Sequence, residues 1–131
     1  MIVVDASIVV ELLTNGPLAD FLRDKLAAQS ESFIAPYLLD VEVISALRKL
    51  TAGEQIDPFL SEQCLAALVS LPVQRYAHTP LLSRIWGLRH NFTAYDAAYI
   101  ALAEATGSVL YTSDKKLCKG HHARVVLFTP A

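Results

Sequence analysis

The 131-residue chain carries little charge, and that charge favours neither sign strongly. Asp, Glu, Lys and Arg make up only 18% of the residues, and the formal net charge at pH 7 is −2. Holding nucleic acid by electrostatics alone needs a strong positive field, so any contact of this chain with nucleic acid must be local. So few charges beside 53% hydrophobic residues also exclude an intrinsically disordered chain.

Cysteine is scarce as well, because Cys64 and Cys118 are the only two. They lie far apart without a CxxC or zinc-ligand spacing, so we expect two buried, reduced thiols, no disulfide framework and a cytoplasmic location. No hydrophobic run approaches the ~18 residues of a membrane span. Residues 1–13 contain Asp5 and Glu11 where an export signal would begin with basic residues. We therefore expect a soluble protein with no membrane partner.

Glycine is dispersed, with one residue at each of positions 16, 53, 87, 107 and 120. The chain therefore has no GxGxxG or Walker loop, which excludes dinucleotide and nucleoside triphosphate binding through those motifs. It also lacks GxSxG and HExxH, the signatures of many serine hydrolases and zinc proteases. The residues that remain as candidates for chemistry are acidic.

What the chain has is a regular alternation of apolar strands and helices. We predict strands at 1–5, 32–35, 73–77, 109–111 and 124–128. We predict helices at 6–14, 17–29, 38–50, 58–71, 94–106 and 114–120, with another that begins at Thr79-Pro80. This alternation predicts a single domain over residues 1–131 with a three-layer α/β/α architecture and a mainly parallel central sheet of about five strands.

Hydrophobic stripes on the helices indicate which faces are buried. We expect Phe21 to be buried on the second helix, and Phe59, Leu65 and Val69 to be buried on the helix that follows Pro58. The mean hydropathy of +0.38 leaves more apolar surface than one small monomer can hide. We therefore expect a homodimer or a larger assembly.

Four acidic residues are placed to meet at one edge of the predicted sheet. Asp5 ends the first strand among apolar neighbours, and Asp114 follows the fourth strand. Asp96 lies in the first turn of the helix after Thr93, and Glu42 lies in the first turns of the helix after the second strand. Ligands of open α/β sheets gather at the carboxyl ends of the strands, where these side chains would converge.

Each acid also has a purely structural interpretation. Asp5 and Asp114 are suited to cap helices, and Asp96 can form a capping box with Thr93. Glu42 can belong to an exposed polar stripe. Taken together, however, four carboxylates at one edge would repel unless a divalent cation screened them. Oxygen ligands favour Mg²⁺ or Mn²⁺, and such ions support phosphodiester hydrolysis by activating water.

Four segments carry a resemblance to a known family. They are Ile2-Val3-Val4-Asp5-Ala6-Ser7, Glu42-Val43-Ile44-Ser45-Ala46-Leu47, Tyr95-Asp96-Ala97-Ala98-Tyr99-Ile100-Ala101-Leu102-Ala103 and Leu110-Tyr111-Thr112-Ser113-Asp114. In this order the chain resembles the PIN-domain ribonucleases, specifically VapC-type toxins. The most specific feature is an acid opening an Ala-rich helix, followed by a strand that ends in Thr-x-Asp.

The resemblance implies an Mg²⁺-dependent endoribonuclease for single-stranded or looped RNA, with Mn²⁺ as a substitute ion. It implies a cognate antitoxin as partner and a dimeric state. By position, the family's catalytic and metal-binding acids correspond to Asp5, Glu42, Asp96 and Asp114, and its polar residues beside the metal correspond to Ser7 and Thr112. Candidate contacts to RNA phosphates are Arg84, Arg89, Lys115 and Lys116, although these residues are equally suited to an ordinary solvated surface.

Two other functions compete with this one. A phosphorylatable receiver domain has a similar size, layering and acidic pocket, but it would pair acids after the first strand and place a lysine after the last. Here Asp5 stands alone, and residues 128–131 contain no lysine. A catalytically silent PIN-like module that regulates by binding alone would keep the same acids, because intact acids do not prove turnover.

Overall fold

The computed structural model describes residues 1–129. Its strands are β1 (Ile2–Val4), β2 (Phe33–Pro36), β3 (Val73–Tyr76), β4 (Val109–Thr112) and β5 (Val125–Leu127). Its α-helices are α1 (Ala6–Leu13), α2 (Ala19–Ala27), α3 (Leu38–Ala52), α4 (Pro58–Ser70), α5 (Leu82–Gly87) and α6 (Ala94–Thr106). Two short 3₁₀ helices, Thr79–Leu81 and Lys115–Cys118, complete the regular structure of these residues.

The five strands form one parallel sheet in the order β3-β2-β1-β4-β5. β1 occupies the centre because its three residues, Ile2, Val3 and Val4, are fully apolar and buried, as a strand covered on both faces requires. The chain adds β2 and β3 on one side of β1 and then crosses to add β4 and β5 on the other. The sheet therefore reverses its winding between β1 and β4, and ligands of such sheets bind beyond the carboxyl ends of the strands at that point. The predicted fold class is confirmed.

Helix α6 packs against β1, β2 and β4 and carries the longest buried segment of the chain. Residues Ala97–Ala103 are all buried, and their alanines let the helix approach the sheet closely. The helix begins where the Thr93 hydroxyl accepts a hydrogen bond from the Asp96 amide, and it ends at Gly107 in the left-handed conformation with φ 66°. Both boundaries agree with the prediction, so the position of Asp96 in the first turn is confirmed.

The prediction of helix burial was wrong at four positions. Phe21, Phe59, Leu65 and Val69 are exposed, and Val69 keeps 86% of its accessible surface. Helix α4 packs chiefly against the helices α1 and α3, so only a narrow face of it is buried. A continuous hydrophobic stripe in the sequence overestimates the face that such a peripheral helix covers.

The two cysteines also differ from the expectation. Cys64 is buried, but Cys118 is exposed, because the predicted helix at 114–120 is only a short 3₁₀ turn followed by Gly120 at φ 96°. Both thiols are free, as predicted. Among residues 1–129, no helix has the length and the hydrophobicity that crossing a membrane requires.

Candidate metal centre

The Asp5 carboxylate is held at the carboxyl end of β1 by three hydrogen bonds. Its Oδ1 accepts from the Ser7 hydroxyl at 2.5 Å and from the Ile8 amide at 3.2 Å, the latter capping α1. Its Oδ2 accepts from the Thr112 hydroxyl at 2.5 Å. The Asp5 amide in turn donates to the Tyr111 carbonyl at 3.2 Å, which continues the β1–β4 pairing. Asp5 is therefore both a helix cap and the centre of a polar network.

Ser7 and Thr112 link that network to Asp114. The Ser113 amide donates to the Ser7 hydroxyl at 3.0 Å, and the Asp114 amide donates to the Thr112 hydroxyl at 3.0 Å. The Asp114 carboxylate caps the following 3₁₀ turn by accepting from the Lys116 amide. The chain that leaves β4 is therefore tied to the chain that leaves β1.

Burial has an electrostatic consequence for Asp5. The residue is only 6% exposed, and burial raises the pKa of its carboxyl from 3.8 to about 6, although its hydrogen bonds to Ser7, Thr112 and Ile8 oppose the rise. No side-chain cation within residues 1–129 forms an ion pair with it. A buried carboxylate without a positive partner is costly, and a bound cation would remove that cost.

Glu42 and Asp96 lie near the same point from two different helices. Burial raises the pKa of Glu42 on α3, and the charge of Asp96 raises it further. Burial also raises the pKa of Asp96 on α6, with a further contribution from the charge of Asp114, while Lys116 opposes it. These effects couple Glu42 to Asp96 and Asp96 to Asp114. Glu42 is half-buried, so it does not belong to a fully exposed polar stripe.

Tyr99 lies next to the acidic cluster, as we call these three acids and Asp5, and we did not select it from the sequence. It is 1% exposed, and its hydroxyl has no hydrogen-bond partner of acceptable geometry among residues 1–129. Burial raises its pKa, and the nearby carboxylates of Glu42, Asp5 and Asp96 raise it further. The signal was available, because a residue three positions after Asp96 on a helix lies on the same face.

An open groove of about 540 Å³ adjoins the cluster. Glu42, Ser45 and Lys49 line one wall from α3, and Tyr95 from α6 lines another. Acid, hydroxyl, amine and aromatic groups are thus presented together beside the carboxylates. This groove is open to solvent and is not an enclosed small-molecule cavity.

The donor set fits a hard divalent cation in kind, since carboxylate and hydroxyl oxygens are what Mg²⁺ and Mn²⁺ prefer. The unpaired Asp5 carboxylate and the unpartnered Tyr99 hydroxyl are two buried polar groups that such a site would use. Within residues 1–129, however, no three His, Cys, Asp or Glu side chains stand close enough together to hold one ion. The carboxylates would have to draw closer to share a cation, as expected for groups that repel in its absence.

The four candidate phosphate contacts fall into two pairs. Lys115 and Lys116 are exposed and directly follow Asp114, next to the acids. Arg84 instead pairs with both carboxylate oxygens of Glu104, at 2.7 and 3.0 Å, and the Arg89 guanidinium lies 4.4 Å from the centre of the Trp86 ring. The structure therefore gives both arginines other partners, whereas the lysines stay close to the acidic cluster.

We expect the Asp5 carboxylate to destabilise the metal-free fold when it is ionised. Since its folded-state pKa is raised from 3.8 to about 6, its contribution to stability is full below about pH 4 and is lost as the pH rises through 6. The Asp5→Asn variant lacks this loss, on the order of 3 kcal/mol at most. Thermal unfolding in a chelator should show the wild type losing stability relative to the variant between pH 4 and 7. Parallel pH profiles for the two proteins would contradict this.

Comparison with known proteins supplies the family. The model of the PIN domain matches residues 2–121. Ribonuclease VapC1 of Mycobacterium tuberculosis is 44% identical over 120 residues, which cover 88% of this chain and 86% of that protein. Ribonuclease VapC12 of the same species is 37% identical over 129 residues, or 97% of this chain and 98% of that protein.

Solved structures agree on the fold. The crystal structure of Mycobacterium tuberculosis VapC20, described as a sarcin-ricin loop cleaving toxin, superposes with a TM-score of 0.71 at 18% identity. The match covers 89% of this chain and 92% of that one. The PIN-domain match covers nearly the whole chain, and the ribonuclease relatives are 37–44% identical. These findings rule out the receiver-domain alternative. This chain belongs to the PIN-domain family, among its VapC ribonucleases.

Proposed function

We propose that this protein is a metal-dependent endoribonuclease toxin of the VapC type that hydrolyses RNA phosphodiester bonds at the acidic cluster. Asp5, Glu42, Asp96 and Asp114 are the catalytic and metal-binding residues, with Mg²⁺ as the ion and Mn²⁺ as a substitute. The observation that carries this proposal is the buried Asp5 carboxylate, fixed by Ser7 and Thr112 without a positive partner. Such a group is kept in place only at a cost, which metal binding explains.

The roles of the side chains follow from their positions. Asp5, Glu42, Asp96 and Asp114 would hold the ion, and Ser7 and Thr112 orient Asp5 so that its oxygens need not reorganise when a cation arrives. A bound divalent ion activates water and stabilises the charge that develops on the phosphodiester. Glu42 faces the groove with a raised pKa, which suits its carboxylate for accepting a proton there. Lys115 and Lys116 are placed to contact RNA phosphates.

The partners follow from the same surface. We propose that the substrate is single-stranded or looped RNA, since unpaired RNA is flexible enough to enter a groove and to expose its bases there. A cognate antitoxin would bury an apolar segment against this chain and direct a basic side chain at the acids, because clustered carboxylates attract a cation when metal is absent. The protein acts in the cytoplasm as one domain over residues 1–131.

We also propose a homodimer formed through the aromatic and aliphatic side chains beside the groove. Tyr37, Val41, Leu82 and Tyr95 are between 53% and 65% exposed and line one apolar depression of about 380 Å³. A contiguous apolar surface of this kind is typical of an interface. A second copy of the same chain satisfies it without a charged partner, since apolar side chains predominate along its walls.

Light scattering at micromolar concentration tests the dimer. We expect a species of twice the 14.3 kDa chain mass for the wild type, and dissociation for Val41→Asp, which places a charge in the interface. The control is Val69→Asp, because Val69 is exposed on α4 outside this depression. A monomeric wild type, or equal dissociation of both variants, would contradict the proposed interface.

Substitution of single acids tests the catalytic assignment. We expect Asp5→Asn and Asp96→Asn to abolish RNA cleavage in Mg²⁺ while the proteins remain folded, because Asn keeps the shape and the accepting oxygen but removes the charge that binds metal. Asp57→Asn is a matched control, since the Asp57 side chain caps α4 through the Leu60 amide at 2.8 Å and has no other assigned role. This control should cleave RNA at the wild-type rate.

Two results would contradict the assignment. If folded Asp96→Asn still cleaves RNA, Asp96 is not catalytic and serves only to start α6 together with Thr93. A wild type without any cleavage in Mg²⁺ or Mn²⁺, although it is folded and free of antitoxin, would instead favour the silent binding module.

A further inference from the structure

The Tyr99 hydroxyl is the one buried side-chain polar atom in residues 1–129 that has no hydrogen-bond partner. Burying a hydroxyl without a partner costs free energy, so native structures rarely do it away from a functional site. A phenylalanine would fill the same space on α6 without that cost. We therefore expect the hydroxyl to have a role other than packing.

The surroundings of the hydroxyl indicate what that role is. The carboxylates of Asp5, Glu42 and Asp96 all lie close enough to act on the phenol electrostatically. Glu42 is also close enough to accept a hydrogen bond from it, although the two groups do not meet with good hydrogen-bond geometry. At neutral pH the phenol keeps its proton and can donate. Tyr99 and Asp96 lie on α6, whereas Glu42 comes from α3.

Two of the other acids, Asp5 and Asp114, have positioning partners already. Ser7 and Thr112 donate to Asp5, and the Lys116 amide donates to Asp114. Glu42 accepts no hydrogen bond of good geometry from residues 1–129, so its carboxylate has the freedom to turn. Acids that bind metal are themselves held by hydrogen bonds, and the loss of such a partner weakens metal binding.

We propose that Tyr99 is a positioning residue for Glu42: in the metal-loaded protein its hydroxyl donates a hydrogen bond to the Glu42 carboxylate and orients it towards the ion. This inference rests on the proposed function, because it assumes that the acidic cluster binds a divalent cation. The phenol exchanges no proton in this role. The Tyr99 hydroxyl finds its hydrogen-bond acceptor only when a bound ion draws the Glu42 carboxylate into place.

The proposal makes opposite demands on stability and on metal affinity. In chelator, Tyr99→Phe removes an unsatisfied hydroxyl, so its melting temperature should equal or exceed that of the wild type. Its affinity for Mn²⁺ alone, measured by calorimetry, should be weaker by about tenfold. The rise in melting temperature on adding Mn²⁺ should be correspondingly smaller. A purely structural tyrosine would show the reverse pattern, with lower stability and unchanged affinity.

Tyr111→Phe is the matched control. Tyr111 is buried on β4, and its hydroxyl accepts a hydrogen bond from the Gln29 side chain, outside the acidic cluster. This variant should lose stability in chelator because it leaves Gln29 without that partner, and its Mn²⁺ affinity should stay at the wild-type value. The comparison separates the loss of any buried hydroxyl from the loss of the one that faces the acids.

A double-mutant cycle with Glu42→Gln tests whether Tyr99 acts through Glu42. If it does, Tyr99→Phe weakens Mn²⁺ binding in the wild type but has no further effect in the Glu42→Gln background. An unchanged Mn²⁺ affinity of Tyr99→Phe, or equal losses in both backgrounds, would overturn the role. Asp5→Asn distinguishes a failure of the metal site from a failure of the role given to Tyr99. If the wild type fails to bind Mn²⁺, or Asp5→Asn leaves binding unchanged, the metal site itself is wrong and this inference falls with it.

Discussion

The burial of the Asp5 carboxylate at the end of the central strand is the constraint on which the site depends. Its oxygens accept hydrogen bonds from Ser7, Ile8 and Thr112, so one side chain joins the start of α1 to the end of β4. The same contacts that hold it fail to neutralise it, because every donor is uncharged. The fold therefore keeps a negative charge in a poorly solvated place and fixes its direction.

The sheet topology explains why the other acids gather there. Because the winding reverses between β1 and β4, the carboxyl ends of those strands lie at the point where ligands of such sheets bind, beside a groove that helices α3 and α6 border. Asp114 arrives from β4, while Asp96 and Glu42 arrive from the two helices. Burial raises the pKa of both Asp96 and Glu42, and repulsion from Asp114 and from Asp96, respectively, raises it further. A cation would convert this repulsion into binding energy.

The sequence predicted those features that local chemistry determines. The apolar β1 segment, the Thr93 start of α6 and Gly107 at its end are readable because caps and left-handed glycines leave fixed signatures. The four acids were found because each follows a strand or opens a helix. The competing interpretations as caps were also right for Asp5 and Asp114, since one side chain can cap a helix and still face a ligand.

Features that depend on packing between distant elements were not predictable in this way. The exposure of Phe59 and Val69 depends on α4 resting on other helices, which its stripe does not reveal. Arg84 looked available for RNA, but Glu104 on α6 holds it after folding. The isolation of the Tyr99 hydroxyl is likewise a property of the assembled core, because it depends on what α3 places opposite α6.

Anomalous diffraction from a crystal soaked in Mn²⁺ tests the central claim most directly. We predict an anomalous peak among Asp5, Glu42, Asp96 and Asp114, with carboxylate oxygens as ligands of the ion. The acids should be closer together than in the metal-free protein. A well-ordered crystal with Mn²⁺ at saturating concentration and no peak at this edge of the sheet would contradict the account.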